Sequence, residues 1–153
     1  MIEEKLNELG IILPIPPKPA GSYIPVVITG NMAFVSGQIP MQDGKVVFTG
    51  KVPTEKSVEE AQKAARLCAI NILAQLRANL GTLDRIAKIV RVSGFVNSAP
   101  DFAVHPKVIN AASDLFFEIF GEKGKHSRIA VGVSSLPLNS TVEIDAVVEI
   151  ISG

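Results

Sequence analysis

The residue types in this chain that are best suited to chemistry lie in its last two apolar segments. Arg128 begins the apolar segment 128–137, and Glu143 lies early in the apolar segment 141–150. A guanidinium pairs with a carboxylate through two parallel hydrogen bonds and keeps its charge at physiological pH. Arg128 therefore predicts an anion-binding site, with the carboxylate of Glu143 in the neighbouring segment.

Alternation along the two predicted strands indicates which side chains share a face. The apolar positions are expected to form the core face: Ile129, Val131, Val133, Val142, Ile144, Ala146 and Val148. Arg128 and Glu143 then share the opposite face, whose other residues on the first strand are small. If the strands form a hairpin, the two charged heads start roughly 13 Å apart, and each is free to meet a neighbouring subunit. The alternative is a solvated strand end or a structural ion pair.

Three further positions each have two interpretations. Ser36-Gly37-Gln38 ends a strand, where a glycine lets a ligand approach the backbone; a β-bulge is an equal alternative. Tyr23, the only tyrosine, either lines a pocket or covers an interface. Asn110 lies in an apolar stretch of a predicted helix, which indicates either an exposed position or a defined hydrogen-bond partner.

Metal binding and nucleophilic catalysis have little support in the sequence. His105 and His126 lie on different segments, and neither has a second ligand at the spacing of a metal site. We expect His105 to begin a helix and His126 to be solvated in a loop. Cys68 lies on the apolar stripe of a helix, which predicts a buried thiol rather than a nucleophile.

Hydrophobic periodicity and turn signals predict the elements that must position these residues. Ser57 and Glu60 form a capping box and Gly81 supplies a stop, so the segment between them is the clearest helix. The expected elements in order are a short helix (2–9), a proline-rich connector through Gly21, a hairpin turning at Gly30-Asn31, a short strand near Val46, the long helix (57–80), a strand (86–96), a helix (107–120) and two final strands. This order predicts an α+β fold of five to six strands, with both longer helices on one sheet face. The other face is not strongly polar, so we expect it to pack in an oligomer.

Composition excludes several classes of partner. The 15 Lys and Arg and 15 Asp and Glu residues give a net charge of +0, which argues against binding to nucleic acid or to a membrane surface. No apolar run is long enough to cross a bilayer. The first ten residues are charged and lack the apolar core of a signal peptide, and one cysteine allows no internal disulfide. We therefore expect a cytoplasmic protein that binds neither nucleic acid nor membranes.

Several of these features together resemble one known family. They are Tyr23, the run 30–40 with its Ser36-Gly37-Gln38-Ile39-Pro40, Asn110 before Phe116-Phe117, and Arg128 through Leu136-Pro137 to Glu143-Ile144. In order and spacing they resemble the Rid (YjgF-like) proteins, reactive-intermediate enamine/imine deaminases that are often labelled L-PSP endoribonucleases. The resemblance covers residues 19–153 as a single domain. It leaves residues 1–18 as an N-terminal extension, formed by the short helix and the proline-rich connector.

The resemblance implies a fold and a set of site residues. The fold is chorismate-mutase-like (YjgF-like), with a mixed sheet and a homotrimer whose sheets form an inner barrel with pockets between subunits. Arg128 and Glu143 match the family's catalytic residues, the first binding a substrate carboxylate and the second positioning water. The matching substrate-binding positions are Tyr23, Ser36, Gly37, Asn110 and Ala130, and the family needs neither metal nor other cofactor.

The reaction implied is the hydrolysis of a 2-imino acid, or its enamine tautomer, to a 2-oxo acid and ammonia. Ala130 departs from the family pattern, because many members have cysteine at this position; a thiol role is therefore absent, as in a divergent subgroup. Two alternatives stay open. One is a trimer that binds or senses a small carboxylate without turnover. The other, which the zero net charge favours least, is an endoribonuclease or translation inhibitor.

Overall fold

The structure, a computed structural model, describes residues 1–19 and 21–152; Ala20 of the connector lies outside the described residues. The helices are α1 (Ile2–Glu8), α2 (Val58–Leu80) and α3 (His105–Phe120). The strands are β1 (Val26–Thr29), β2 (Met32–Gln38), β3 (Met41–Gln42), β4 (Lys45–Val46), β5 (Ile86–Asn97), β6 (Ser127–Val133) and β7 (Val142–Ile150). Short 3₁₀ turns occupy Leu83–Arg85, Gly121–Gly124 and Pro137–Asn139. Within the described ranges, every helix is too short or too polar to span a membrane.

Five strands form one mixed sheet in the spatial order β1-β2-β7-β5-β6, and β3 pairs with β4 alone. Neighbouring strands of the main sheet are antiparallel except β5 and β6, which run parallel because α3 returns the chain to the starting edge. The expected α+β fold with a mixed sheet is confirmed. The expected hairpin between the last two strands is wrong, because β5 lies between β6 and β7.

Local signals determine where α2 begins and ends. Ser57 Oγ accepts a hydrogen bond from the Glu60 N–H at 3.1 Å, and Glu60 Oε1 accepts one from the Ser57 N–H at 3.2 Å. These bonds satisfy donors that a helix leaves free at its first turn. Gly81 ends the helix with a φ of 86°, a conformation that glycine adopts without strain. The predicted capping box and stop are both confirmed.

Both long helices cover the same face of the sheet, called the helix face below. Cys68 of α2 lies 3.7 Å from the carbonyl oxygen of Val142. Ile109 of α3 fills the space over Gly94, where a Cβ would lie only 2.6 Å from Ile109 Cδ1. The expected core residues of β7 are confirmed, each being at most 1% exposed: Val142, Ile144, Ala146 and Val148.

Strand β6 has the opposite orientation from the one expected. Ile129 and Val131 are 39% and 40% exposed on the face without helices, whereas Ala130 packs against the core. A side chain at Gly132 would overlap His105 Nε2 and Ser98 Oγ. Small residues alternate along β6 because α3 approaches this edge strand too closely for larger ones. They indicate close packing and not an open surface.

The face without helices, called the open face below, carries exposed apolar side chains. Val27 and Phe34 lie side by side on β1 and β2 and are 47% and 45% exposed. Ile129 and Val131 extend the apolar surface at the other edge of the sheet. The expected weakly polar second face is therefore present, and its burial in an oligomer stays a prediction.

The N-terminal segment packs on the same core as the rest of the chain. Leu6, Ile11 and Leu13 are each at most 6% exposed and belong to the main cluster of buried residues. Glu3 binds Arg77 of α2 with an oxygen–nitrogen distance of 3.0 Å. The segment thus packs against α3 and the turn Leu83–Arg85, and it is bonded to α2 through Arg77.

Candidate functional site

The predicted site residues lie on two different faces of the sheet. Arg128 and Ala130 are on the helix face, whereas Glu143 is on the open face. The strand register shows the difference, because Arg128 pairs with the buried Val92 while Glu143 pairs with Phe95, three residues further along β5. An odd separation places side chains on opposite faces. The expectation that Arg128 and Glu143 share a face is therefore wrong.

Distance separates these two residues as well. Three residues along the strands and two strand spacings place the Cα atoms of Arg128 and Glu143 roughly 14 Å apart. Because the guanidinium and the carboxylate also point away from each other through the sheet, they cannot contact the same small molecule within one chain. Any site that uses both residues needs two chains.

Two neutral acceptors hold the Arg128 guanidinium. Its Nη1 donates to Asn110 Oδ1 at 2.9 Å and to Ser113 Oγ at 3.1 Å. Within residues 1–19 and 21–152, no carboxylate lies within 4.0 Å of this guanidinium, and its Nε and Nη2 have no hydrogen-bond partner. The structural ion pair considered above is thus absent from this part of the chain. The Nε–Nη2 edge is one that can bind a carboxylate at two points.

Ser113 continues this network to His126. Ser113 Oγ lies 2.8 Å from His126 Nε2, and His126 Nδ1 lies 2.7 Å from the carbonyl oxygen of Gly124. Burial lowers the pKa of His126; the bond to Gly124 acts in the opposite direction, and the charge of Arg128 adds a further decrease. The expectation of a solvated His126 is therefore wrong, because the ring packs and bonds on the helix face.

Gly37 and Glu143 adjoin on the open face. A Cβ at position 37 would lie 3.0 Å from Glu143 Cδ and would overlap Oε2, so the carboxylate occupies the space that a side chain would fill. The strand register shifts between Val35 and Gln38, so a β-bulge is present here. Burial raises the pKa of Glu143, and the neighbouring Asp145 raises it further. A raised pKa makes this carboxylate a stronger base once it is ionised.

Ser36 is bonded to the segment that follows Tyr23. Its N–H donates to the carbonyl oxygen of Pro25 at 2.8 Å, and its hydroxyl donates to that of Ile24 at 3.2 Å. Tyr23 itself is 56% exposed. These contacts bring Tyr23 and Ser36 to the strand end that carries Gly37, apart from Arg128, Asn110 and Ala130.

A cleft of about 310 Å³ lies between β6 and the start of α3. His105 begins α3, as expected, and its Nε2 lies 3.4 Å from Ser98 Oγ. Phe102 meets the His105 ring edge-on at a centroid distance of 5.1 Å. Gly132 lines the cleft two residues beyond Ala130, so the cleft lies on the same face of β6 as Arg128.

Cys68 lies in the core, and the metal-binding residue types form no cluster in the described part of the chain. Cys68 is fully buried, and burial raises the pKa of its thiol well above the ordinary value, with a smaller contribution from the charge of Glu143. The predicted buried thiol is confirmed. Over residues 1–19 and 21–152, no three His, Cys, Asp or Glu side chains come together as metal ligands would.

Ser113 and His126 are the residues around Arg128 that the sequence did not single out. Ser113 follows Asn110 by three residues, a spacing that places both on one side of a helix. His126 precedes Arg128 by two residues, which places both on one side of an extended strand. These two spacings are the features of the sequence that could have identified Ser113 and His126 as neighbours of Asn110 and Arg128.

Comparison with known proteins identifies the same fold and family. The sequence matches the family model described as "YjgF/chorismate mutase-like, putative endoribonuclease" over residues 3–150. It is 43% identical to Protein TCP17 of Trypanosoma cruzi, over 97% of this chain and 94% of that protein. It is 32% identical to a 2-iminobutanoate/2-iminopropanoate deaminase of Dermatophagoides farinae, over 92% and 94% of the two chains. The crystal structure of Atu1372, a protein of unknown function from Agrobacterium tumefaciens, superposes with a TM-score of 0.92 at 49% identity, covering 98% of this chain and 92% of that one.

Proposed function

The chain belongs to the YjgF/chorismate mutase-like family, and we propose that it hydrolyses 2-imino acids and their enamine tautomers to 2-oxo acids and ammonia. The name of the mite relative supports this reaction class, at 32% identity over nearly the whole chain. The hydrogen bonding around the Arg128 guanidinium also supports this reaction class.

The observation that carries the proposal is the uncompensated charge of Arg128. Neutral Asn110 and Ser113 hold Nη1, while the Nε–Nη2 edge has no partner in the described residues. A small carboxylate fits that edge through two charge-assisted hydrogen bonds.

Glu143 supplies the base in the proposed reaction. Its carboxylate takes a proton from water as the water oxygen attacks the protonated imine carbon, and the C=N π electrons move to nitrogen. Glu143 then donates this proton to the amine nitrogen of the resulting carbinolamine. As the hydroxyl oxygen forms the carbonyl, the C–N bond breaks and ammonia leaves with the bonding electron pair, while the hydroxyl proton passes to the regenerated Glu143 carboxylate and from there to the solvent. The raised pKa of Glu143 suits both transfers, because a base is most effective when its pKa is near the working pH. Water at a fixed position beside the bound imine supplies much of the acceleration.

The two halves of this site come from neighbouring chains of a homotrimer in our proposal. Arg128, Asn110 and Ala130 of one chain would face Tyr23, Ser36, Gly37 and Glu143 of the next. The separation of Arg128 and Glu143 by the sheet supports this arrangement, since one chain cannot bring both to one substrate. The exposed Val27, Phe34, Ile129 and Val131 supply apolar area for such an assembly.

The test is a coupled assay in which an amino-acid oxidase generates imines from several amino acids and the release of 2-oxo acid is followed. Arg128→Ala should lower kcat/KM about 100-fold or more, because two charge-assisted hydrogen bonds are lost. Lys63→Ala, which removes a cation from an exposed position of α2, is the matched control and should behave like the unmodified protein. Unchanged turnover in Arg128→Ala would refute the assignment.

A non-catalytic carboxylate-binding trimer is the second candidate, because Ala130 stands where many family members have a thiol. It predicts that 2-oxobutanoate binds through Arg128 while imine hydrolysis is no faster than in buffer. The oxidase assay and a calorimetric titration together distinguish the two functions.

A further inference from the structure

We propose that Ser113 and His126 are positioning residues for the Arg128 guanidinium, holding its Nη1 so that the Nε–Nη2 edge faces the substrate carboxylate. This inference rests on the carboxylate-binding role proposed for Arg128. It adds two residues on the helix face to the site, one from α3 and one from the segment before β6.

With a neutral His126 ring, the hydrogen-bond directions along this network have one consistent solution. The Gly124 carbonyl oxygen can only accept, so His126 Nδ1, 2.7 Å away, carries the proton. In the neutral ring Nε2 is then an acceptor, and the Ser113 hydroxyl 2.8 Å away donates to it. The hydroxyl proton is thereby directed away from Arg128, and a lone pair of Ser113 Oγ accepts from Nη1 at 3.1 Å.

The surroundings of His126 favour this neutral form. Burial lowers its pKa, and the positive charge of Arg128 acts in the same direction. The Phe116 ring packs edge-on against the imidazole at a centroid distance of 6.0 Å. A second positive charge so close to Arg128 would be costly, so the ring serves as an acceptor for Ser113 at neutral pH.

The far end of the network is fixed to backbone. Gly124 ends a 3₁₀ turn that packs tightly on α3, where a Cβ at this position would overlap the carbonyl oxygen of Phe116. Its carbonyl oxygen therefore has a defined position. This oxygen fixes the His126 ring, and the ring in turn fixes the Ser113 hydroxyl that accepts from Arg128. Asn110 supplies the second acceptor for Nη1, one helical turn before Ser113.

Fixing the guanidinium matters because arginine has several rotatable bonds. A free arginine loses side-chain entropy when it pairs with a carboxylate, and one that is already held loses less. Ser113 and His126 therefore act on the affinity for a carboxylate through Arg128, without touching the ligand themselves.

The test measures binding of 2-oxobutanoate by calorimetry to the full-length protein and to Ser113→Ala, His126→Ala and Ser113→Thr. The two alanine variants should bind roughly fivefold more weakly, and Ser113→Thr, which keeps the hydroxyl, should recover most of the loss. In an Arg128→Ala background, Ser113→Ala should cause no further loss. The uncharged amide, 2-oxobutanamide, should bind all four proteins alike. Circular dichroism and thermal midpoints check that each variant is folded.

Equal affinity for 2-oxobutanoate in the unmodified protein and both alanine variants would overturn the positioning role. The role would also be overturned if Ser113→Ala weakened binding as much in the Arg128→Ala background as in the unmodified protein. Imine hydrolysis by the unmodified protein, measured in the oxidase assay, tests the proposed function separately. Hydrolysis with no coupling between Ser113 and Arg128 refutes only the positioning role, whereas coupling without hydrolysis refutes only the catalytic role. Absence of both binding and hydrolysis refutes both.

Discussion

At the scale of single residues, Gly37 determines where the Glu143 carboxylate can lie. No larger residue fits at this position without displacing the carboxylate, since a Cβ would overlap Oε2. Gly37 therefore acts by leaving space for the carboxylate, and the β-bulge beside it sets the direction of the strand end. A base that must contact one water molecule depends on such placement to within a fraction of an ångström.

Gly37→Ala should lower kcat of imine hydrolysis roughly tenfold, because the carboxylate must move away from the attacking water. Glu143→Gln should lower kcat about 100-fold, because the base is lost. In the Glu143→Gln background the alanine at position 37 should add less than about a twofold effect, since no base remains to be displaced. Independent effects of the two substitutions, measured as kcat in the oxidase assay, would show that Gly37 acts in another way.

At the scale of elements, strand β6 shows how packing decides the meaning of small residues. Ala130 and Gly132 lie where α3 crosses close to the edge of the sheet, so their size is required by the helix. The larger Ile129 and Val131 then face away from the core. The same approach of α3 brings Asn110 to Arg128, so the close packing of this helix also supplies a hydrogen-bond acceptor for the guanidinium.

The first turn of α2 is an element whose energetics can be tested directly. Ser57→Ala removes the hydroxyl that accepts from the Glu60 N–H, and we expect a loss of about 0.5–2 kcal/mol in the free energy of unfolding. Urea denaturation measures this loss. Ser135→Ala, at an exposed loop position, is the control and should leave the unfolding midpoint within error. A midpoint for Ser57→Ala equal to that of the control would show that the cap contributes nothing.

At the scale of the whole molecule, the site requires more than one chain if both charged residues act on one substrate. The sheet lies between Arg128 and Glu143, and their Cα atoms are roughly 14 Å apart by strand geometry. The exposed Val27, Phe34, Ile129 and Val131 of the open face would supply apolar area for contact with a second copy.

Subunit mixing tests this arrangement. Arg128→Ala and Glu143→Gln are each expected to keep about a hundredth of the activity or less as pure proteins. If they are co-expressed and assemble at random, about a quarter of the sites combine an intact Arg128 from one chain with an intact Glu143 from its neighbour, and activity should return to about that fraction. Activity of the mixed assembly no higher than that of either parent would show that both residues act from one chain.

The sequence alone was sufficient for the elements and the family. The capping box at Ser57, the stop at Gly81 and the hydrophobic periodicity of the two helices are local properties, so α2 and α3 lie close to where these signals place them. The ordered set of motifs from Tyr23 to Glu143 also identified the family that the comparisons confirm.

Long-range packing determines which face each strand residue occupies and which groups hold Arg128, and local signals in the sequence do not specify it. Alternation divides a strand into two sets of residues, but the set that is covered depends on which helix packs there and how closely. Strand order also lies beyond local signals, because β5 enters between β6 and β7 from an earlier part of the chain. These long-range contacts place Arg128 beside Asn110 and Ser113 on one face and leave Glu143 with Gly37 on the other.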